Sequence, residues 1–189
     1  MLNSEQKDWA RSVLHPVTSF FIHVNFHPNT LTVIGFLFAV VSAWQLALGH
    51  YRLGAVILLA GGVFDMLDGE VARRGSRGSR FGAFFDSTVD RYAEIVPYLG
   101  LAYAMRFDEL FLLPFVVITG SLMVSYTRAR VEGLGEECAV GWFERPERIV
   151  ILFLGLVIGG PFRTLALVIL AAGSHWTALQ RMLHARKVL

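Results

Sequence analysis

The sequence predicts an all-α integral membrane protein: six transmembrane helices preceded by an N-terminal amphipathic helix in the membrane interface. Three observations carry that expectation. Hydrophobic residues make up 54% of the 189 residues and charged residues only 17%, against roughly 25% charge in soluble domains, and mean hydropathy is +0.54. Apolar runs follow one another along the chain, most of them close to the about 20 residues that a helix needs to cross a bilayer. Lysine and arginine gather in alternate connections between those runs. Too few charges remain to cover a water-facing surface, which excludes a disordered chain or a soluble helical repeat. Cys138 is the only cysteine, so disulfide scaffolds and zinc ribbons are excluded as well. The net charge of +2 gives no reason to expect a nucleic-acid partner.

Residues 1–27 do not read as a cleaved leader, because Glu5, Lys7, Asp8 and Arg11 interrupt any apolar stretch. Trp9, Val13, Val17, Phe20, Phe21 and Val24 recur at helical steps, as in a helix lying in the interface or against the bundle. Pro16 is expected to kink or restart it. The apolar runs then cover about 29–48, 52–73, 82–105, 110–132, 147–160 and 162–183. They form one domain over 1–189, with the bundle at about 28–184. Six spans place both termini on one side. That side collects fourteen of the seventeen Lys and Arg, against Arg52, Arg106 and Arg163 on the other. The bias predicts cytoplasmic termini in a multi-pass plasma (inner) membrane protein.

The chemistry concentrates where the second run ends and the third begins. Asp65 and Asp68 are spaced i, i+3, and Asp86 and Asp90 i, i+4, so each pair shares a helix face. The short polar connection predicts that the two helices pack side by side and that all four carboxylates converge. An ionised Asp at the centre of a spanning helix costs about 2.5–3.5 kcal/mol. Two divalent cations would offset four such charges, and oxygen-only ligands favour Mg²⁺, with Mn²⁺ as substitute, over zinc. A salt-bridge cluster with Arg73, Arg77, Arg80 and Arg91 is the structural alternative. Gly69 and Gly82 allow close approach of a ligand to the backbone, and Arg73 can grip a phosphate with its planar fork.

The stretch Asp65-x2-Asp68-Gly69-x2-Ala72-Arg73-x8-Gly82-x3-Asp86-x3-Asp90 resembles the complete signature of the CDP-alcohol phosphotransferases. The resemblance implies a six-helix membrane enzyme, usually dimeric. It moves a phosphatidyl group from CDP-diacylglycerol, or a CDP-linked ether lipid, to an alcohol and releases CMP. It further implies that Asp65, Asp68, Asp86 and Asp90 hold two metal ions, with Asp90 also the general base. Gly69, Arg73, Ser79 and Gly82 would contact the CDP-lipid, joined by Asn29 and Thr30, which could equally cap the first spanning helix.

Arg128 and Arg130 end the fourth run, and Arg145 and Arg148 open the fifth. Topological bias alone would account for them. Arginine forks also suit phosphate, so a phosphorylated acceptor is expected. The Ser125-Tyr126-x-Arg128-Ala129-Arg130 and Glu144-Arg145-Pro146-Glu147-Arg148 stretches are similar to those of prokaryotic phosphatidylinositol-phosphate synthases, which implies inositol 1-phosphate. Glycerol 3-phosphate and then serine are the enzymatic alternatives. A divalent-metal transporter is the alternative of another class: it would explain the aspartates but not the glycines and Arg73 in register.

Overall fold

In a computed structural model of the chain, residues 16–75 and 78–189 are described, and these form helices joined by turns without a strand. A short helix, α1, covers residues 16–23. It is followed by α2 (Pro28–Ala47), α3 (Tyr51–Arg74), α4 (Arg80–Ala104), α5 (Leu113–Glu132), α6 (Arg145–Ile158) and α7 (Pro161–Val188). Proline near the first position starts α2, α5, α6 and α7, where its missing N–H costs nothing and its fixed φ suits the helix. Gly159 and Gly160, both at positive φ, turn the chain from α6 into α7, a conformation that glycine adopts without strain. The six long helices match the six apolar runs, with α7 continuing five residues past the expected end. By length and hydropathy, α2 and α7 are able to cross a membrane.

Phe21 and Ile22 of α1 pack with Phe26, just after it, against Leu31, Leu67 and Val71, while Val17 and Phe20 of α1 and the following Val24 are exposed. Trp9, Val13 and the charges of the first turns lie outside the described residues, as does Arg77.

The long helices form two groups of three. α2 touches α3 and α4, α7 touches α5 and α6, and the groups meet through α4–α5 and α3–α6 contacts. This corrects the expectation that α3 and α4 pack side by side: each takes its main contact from α2, which bridges them. Small residues explain why. A Cβ on Gly35 would lie 3.3 Å from the Gly61 carbonyl oxygen, and one on Gly100 would overlap the Ala43 carbonyl. The backbone of α2 is therefore pressed directly against both neighbours. Gly100→Ala should lower stability by about 1–3 kcal/mol, the usual cost of forcing a methyl into a filled contact. The melting midpoint of the purified protein in detergent checks this.

Apolar burial concentrates at one end, where Leu46, Leu58, Leu101, Leu156, Leu167 and Leu170 form one cluster. The acidic residues lie toward the opposite end of α3 and α4. The arrangement gives a closed apolar base beneath an end rich in charged side chains.

Candidate active site

Helix α3 offers Asp65 and Asp68, and α4 offers Asp86 and Asp90, each pair on one face. Carboxylate oxygens of Asp65, Asp86 and Asp90 lie within 4.8 Å of one another. Asp68 stands outside this trio, and its Oδ2 accepts the Thr32 hydroxyl of α2 at 2.6 Å. The sequence had suggested all four in one cluster; the structure groups three and ties the fourth to the bridging helix.

A cation from α6 enters the trio. Arg145 Nη1 lies 2.7 Å from Asp65 Oδ1 and 2.7 Å from Asp90 Oδ1, so one guanidinium spans α3 and α4. Arg91 lies 3.3 Å from the other Asp90 oxygen. One turn along α6, Arg148 is only 2% exposed. Its Nε donates to Glu94 Oε1 at 2.8 Å, its Nη1 to the Phe143 carbonyl at 2.6 Å, and its Nη2 lies 2.7 Å from the same Glu94 oxygen.

Two cavities meet at the acidic group. The first is lined by Asn29, Gly69, Arg73, Ser79 and Gly82, together with Asp68 and Asp86. Gly82 is what lets its walls close up. A Cβ there would sit 3.0 Å from Ser79 Oγ and 3.4 Å from Asn29 Oδ1. Ser79 caps α4, its Oγ accepting the Gly82 N–H at 2.9 Å. Arg73 lies over Gly69, whose missing side chain would meet the guanidinium at 3.3 Å. Arg73 also donates to Glu70 at 3.1 Å. The cap of α2 is His27, whose Nδ1 accepts the Asn29 N–H, so Asn29 is not held there as a cap and lines the cavity instead. Thr30 is exposed and is not among the lining residues.

The second cavity lies among α2, α3, α4 and α6 and is lined by Asp65, Asp90, Glu94, Arg145 and Arg148 with apolar neighbours. The four arginines that end α5 and open α6 therefore divide. Arg145 and Arg148 reach this interior. Arg128 is half-exposed and pairs with Glu132 at 2.7 Å, and Arg130 is exposed. Two residues here were missed at the level of sequence: Glu94 and Thr32. Glu94 continues the i, i+4 face of Asp86 and Asp90 by one more turn, and that spacing was the available signal.

The donor set suits a hard divalent cation. It consists of carboxylate oxygens from two helices converging on one point, without Cys or His in the group. Residues 25–185 match the family profile described as CDP-alcohol phosphatidyltransferase. The chain belongs to that family.

Among the relatives of this CDP-alcohol phosphatidyltransferase is the archaetidylinositol phosphate synthase of Methanothermobacter thermautotrophicus. It is 43% identical over 158 residues, covering 82% of this chain and 80% of the relative. The phosphatidylinositol phosphate synthase of Mycobacteroides abscessus is 34% identical over 180 residues, with 90% and 82% covered. Among solved structures, the phosphatidylinositol phosphate synthase of Mycobacterium tuberculosis with bound CDP-DAG superposes with a TM-score of 0.82 at 30% identity. That match covers 90% of this chain and 92% of the other. The same enzyme in complex with manganese and citrate gives 0.83 at 30% identity, with 92% and 88% covered.

Proposed function

We propose that this CDP-alcohol phosphatidyltransferase moves a phosphatidyl group from a CDP-linked lipid to inositol 1-phosphate, releasing CMP. One observation carries the reading: the acidic group stands between two cavities of different chemistry. On one side lie Asn29, Arg73, Ser79 and the two glycines, suited to a nucleotide diphosphate. On the other side Arg145 heads α6 beside Asp65 and Asp90, a planar fork that suits the phosphate of a phosphorylated alcohol, with Arg148 held behind it on Glu94. The kinship with inositol-phosphate synthases supports that assignment of sides.

In this reading the glycine-lined wall admits the CDP moiety, and the Arg73 fork neutralises a phosphate of the leaving CMP. Asp90 takes the proton from the acceptor hydroxyl as its oxygen attacks the lipid-linked phosphorus. A new P–O ester bond forms, the phosphoanhydride P–O bond breaks, and CMP departs with the electron pair. Asp65, Asp68, Asp86 and Asp90 would hold two Mg²⁺ ions, which supply charge to stabilise the attacking and leaving oxygens. Arg145 fixes one oxygen each of Asp65 and Asp90, Arg91 lies against the second Asp90 oxygen, and Arg145 lies beside the acceptor phosphate. Arg128 and Arg130 add positive charge outside.

The six long helices are proposed as spans with the acidic end cytoplasmic. Support comes from large apolar side chains facing outward along them, Leu37, Val40, Val41 and Trp44 on α2 among others, which lipid would cover. Helix α6 is about 21 Å long at 1.5 Å per residue, short of the bilayer core, and the aromatic pair Trp142 and Phe143 precedes it. The outward stripe of α1 suits the interface. A homodimer, as the family implies, completes the proposal.

CMP release from CDP-diacylglycerol with Mg²⁺, measured across a panel of acceptors, tests the assignment. Inositol 1-phosphate should support turnover far better than free inositol, glycerol 3-phosphate or serine. Faster turnover with glycerol 3-phosphate would overturn the acceptor while sparing the transferase. Ion uptake into proteoliposomes without CMP release would favour the transporter.

A further inference from the structure

We propose that the face of α7 bearing Gly173 and Thr177 positions Arg145 for the acceptor, by clamping residues 140–144 that lead into α6. The inference rests on the proposed acceptor role of Arg145.

The chain between α5 and α6 has little regular structure, yet its last residues are tied down at almost every step. The Phe143 N–H donates to Thr177 Oγ1 at 3.0 Å, and Thr177 is fully buried. The Phe143 ring packs closely against Gly173, where an added Cβ would fall 2.5 Å from it. Gly141, at φ +125°, brings the backbone against the Thr177 methyl. Arg181 Nε donates to the Val140 carbonyl at 2.8 Å, and its Nη1 to Val124 of α5 at 2.7 Å. The Phe143 carbonyl accepts from Arg148.

Gly173, Thr177 and Arg181 are spaced i, i+4, i+8, so a single stripe of α7 receives the segment. Glu144 then takes the N-cap position of α6, and Arg145 is its first residue. No α7 side chain named here touches the acidic trio, so the stripe acts only through the segment it holds. Reacting groups must be held within a fraction of an ångström, and remote misplacement by about 1 Å can cost 10²-fold. A guanidinium at the end of a loose loop would not meet that demand, whereas one that begins a helix anchored immediately upstream does.

The test compares both KM values in steady-state CMP release for wild type, Thr177→Val, Thr177→Ser, Gly173→Ala and Arg145→Ala. Thr177→Val keeps the shape but leaves the Phe143 N–H without its acceptor. Gly173→Ala pushes the ring away. Each should raise KM for inositol 1-phosphate by about fivefold or more and leave KM for CDP-diacylglycerol within about twofold. Thr177→Ser should restore the wild-type acceptor value, because it restores the hydroxyl. If Thr177→Val yields no folded protein, Gly173→Ala decides alone. The clamp is overturned if Arg145→Ala raises acceptor KM while the α7 variants do not, or if they raise both KM values equally. An unchanged acceptor KM in Arg145→Ala overturns the acceptor reading itself, and the clamp with it.

Discussion

Asp90→Asn should reduce transfer by about 10²–10⁴-fold, the usual loss when a general base is removed, while CDP-lipid binding is largely kept. Asparagine preserves the shape but cannot accept the acceptor's proton. The cavity of Asn29, Arg73 and Ser79 does not include Asp90, which is why donor binding should survive. Two cations stand against this carboxylate, Arg145 at 2.7 Å and Arg91 at 3.3 Å, and both would lose a charged partner. The variant should therefore also be less stable, so activity must be normalised to the fraction that binds CDP-lipid. Single-turnover CMP release with saturating inositol 1-phosphate separates the chemical step from acceptor binding. Activity within threefold of wild type would remove Asp90 from the mechanism.

Chelation of divalent metal should stop turnover, with Mg²⁺ or Mn²⁺ restoring it and Zn²⁺ restoring less. The warrant is the trio itself: three carboxylates from two helices within 4.8 Å repel one another, and the two guanidiniums beside them, Arg145 and Arg91, do not balance three charges, least of all when Arg145 serves the acceptor. A hard divalent ion matches the all-oxygen set. Binding should be visible apart from activity, as loss of the free Mn²⁺ electron-resonance signal on titration with protein. Asp86→Asn should weaken that binding, since among the described residues no arginine pairs with Asp86, whereas Arg145 and Arg91 pair with the other two members of the trio. Turnover persisting in a verified metal-free sample would sink the two-metal reading.

Much of this was legible in the sequence because it rests on local periodicity. The i, i+3 and i, i+4 aspartate spacings fix which carboxylates share a face, and the apolar runs mark six helices to within a few residues. What periodicity cannot convey is which helix lies between which. The short connection from Arg74 to Phe81 suggested that α3 and α4 pack together. Gly35, Gly61 and Gly100 instead let α2 press against both, and nothing local in those glycines names their partners. The same holds for Asp68, whose spacing places it with Asp65 but whose hydroxyl partner, Thr32, is on another helix. Arg145 and Arg148 read as a basic cluster with Arg128 and Arg130. Their separation follows from burial: Glu94 offers Arg148 a carboxylate in the interior, while Glu132 holds Arg128 at the surface.

The span of Arg145 across two helices has a consequence for how the protein is made. Ribosomes deliver the chain from its N-terminus, so α3 and α4 emerge well before α6. On the six-span reading, Asp68 finds Thr32 waiting on α2, whereas Asp65 and Asp90 reach the bilayer before their shared guanidinium exists. During that interval Asp90 has only Arg91 beside it and Asp65 has, among the described residues, no cation of its own, and an unpaired carboxylate costs about 2.5–3.5 kcal/mol if held at the membrane centre. Nascent α3 and α4 would then rest with their charged ends toward the water and settle only when α6 arrives. On that reading the arrival of Arg145 would act as a late latch in biogenesis, and truncated chains ending before it should be the ones that quality-control proteases clear.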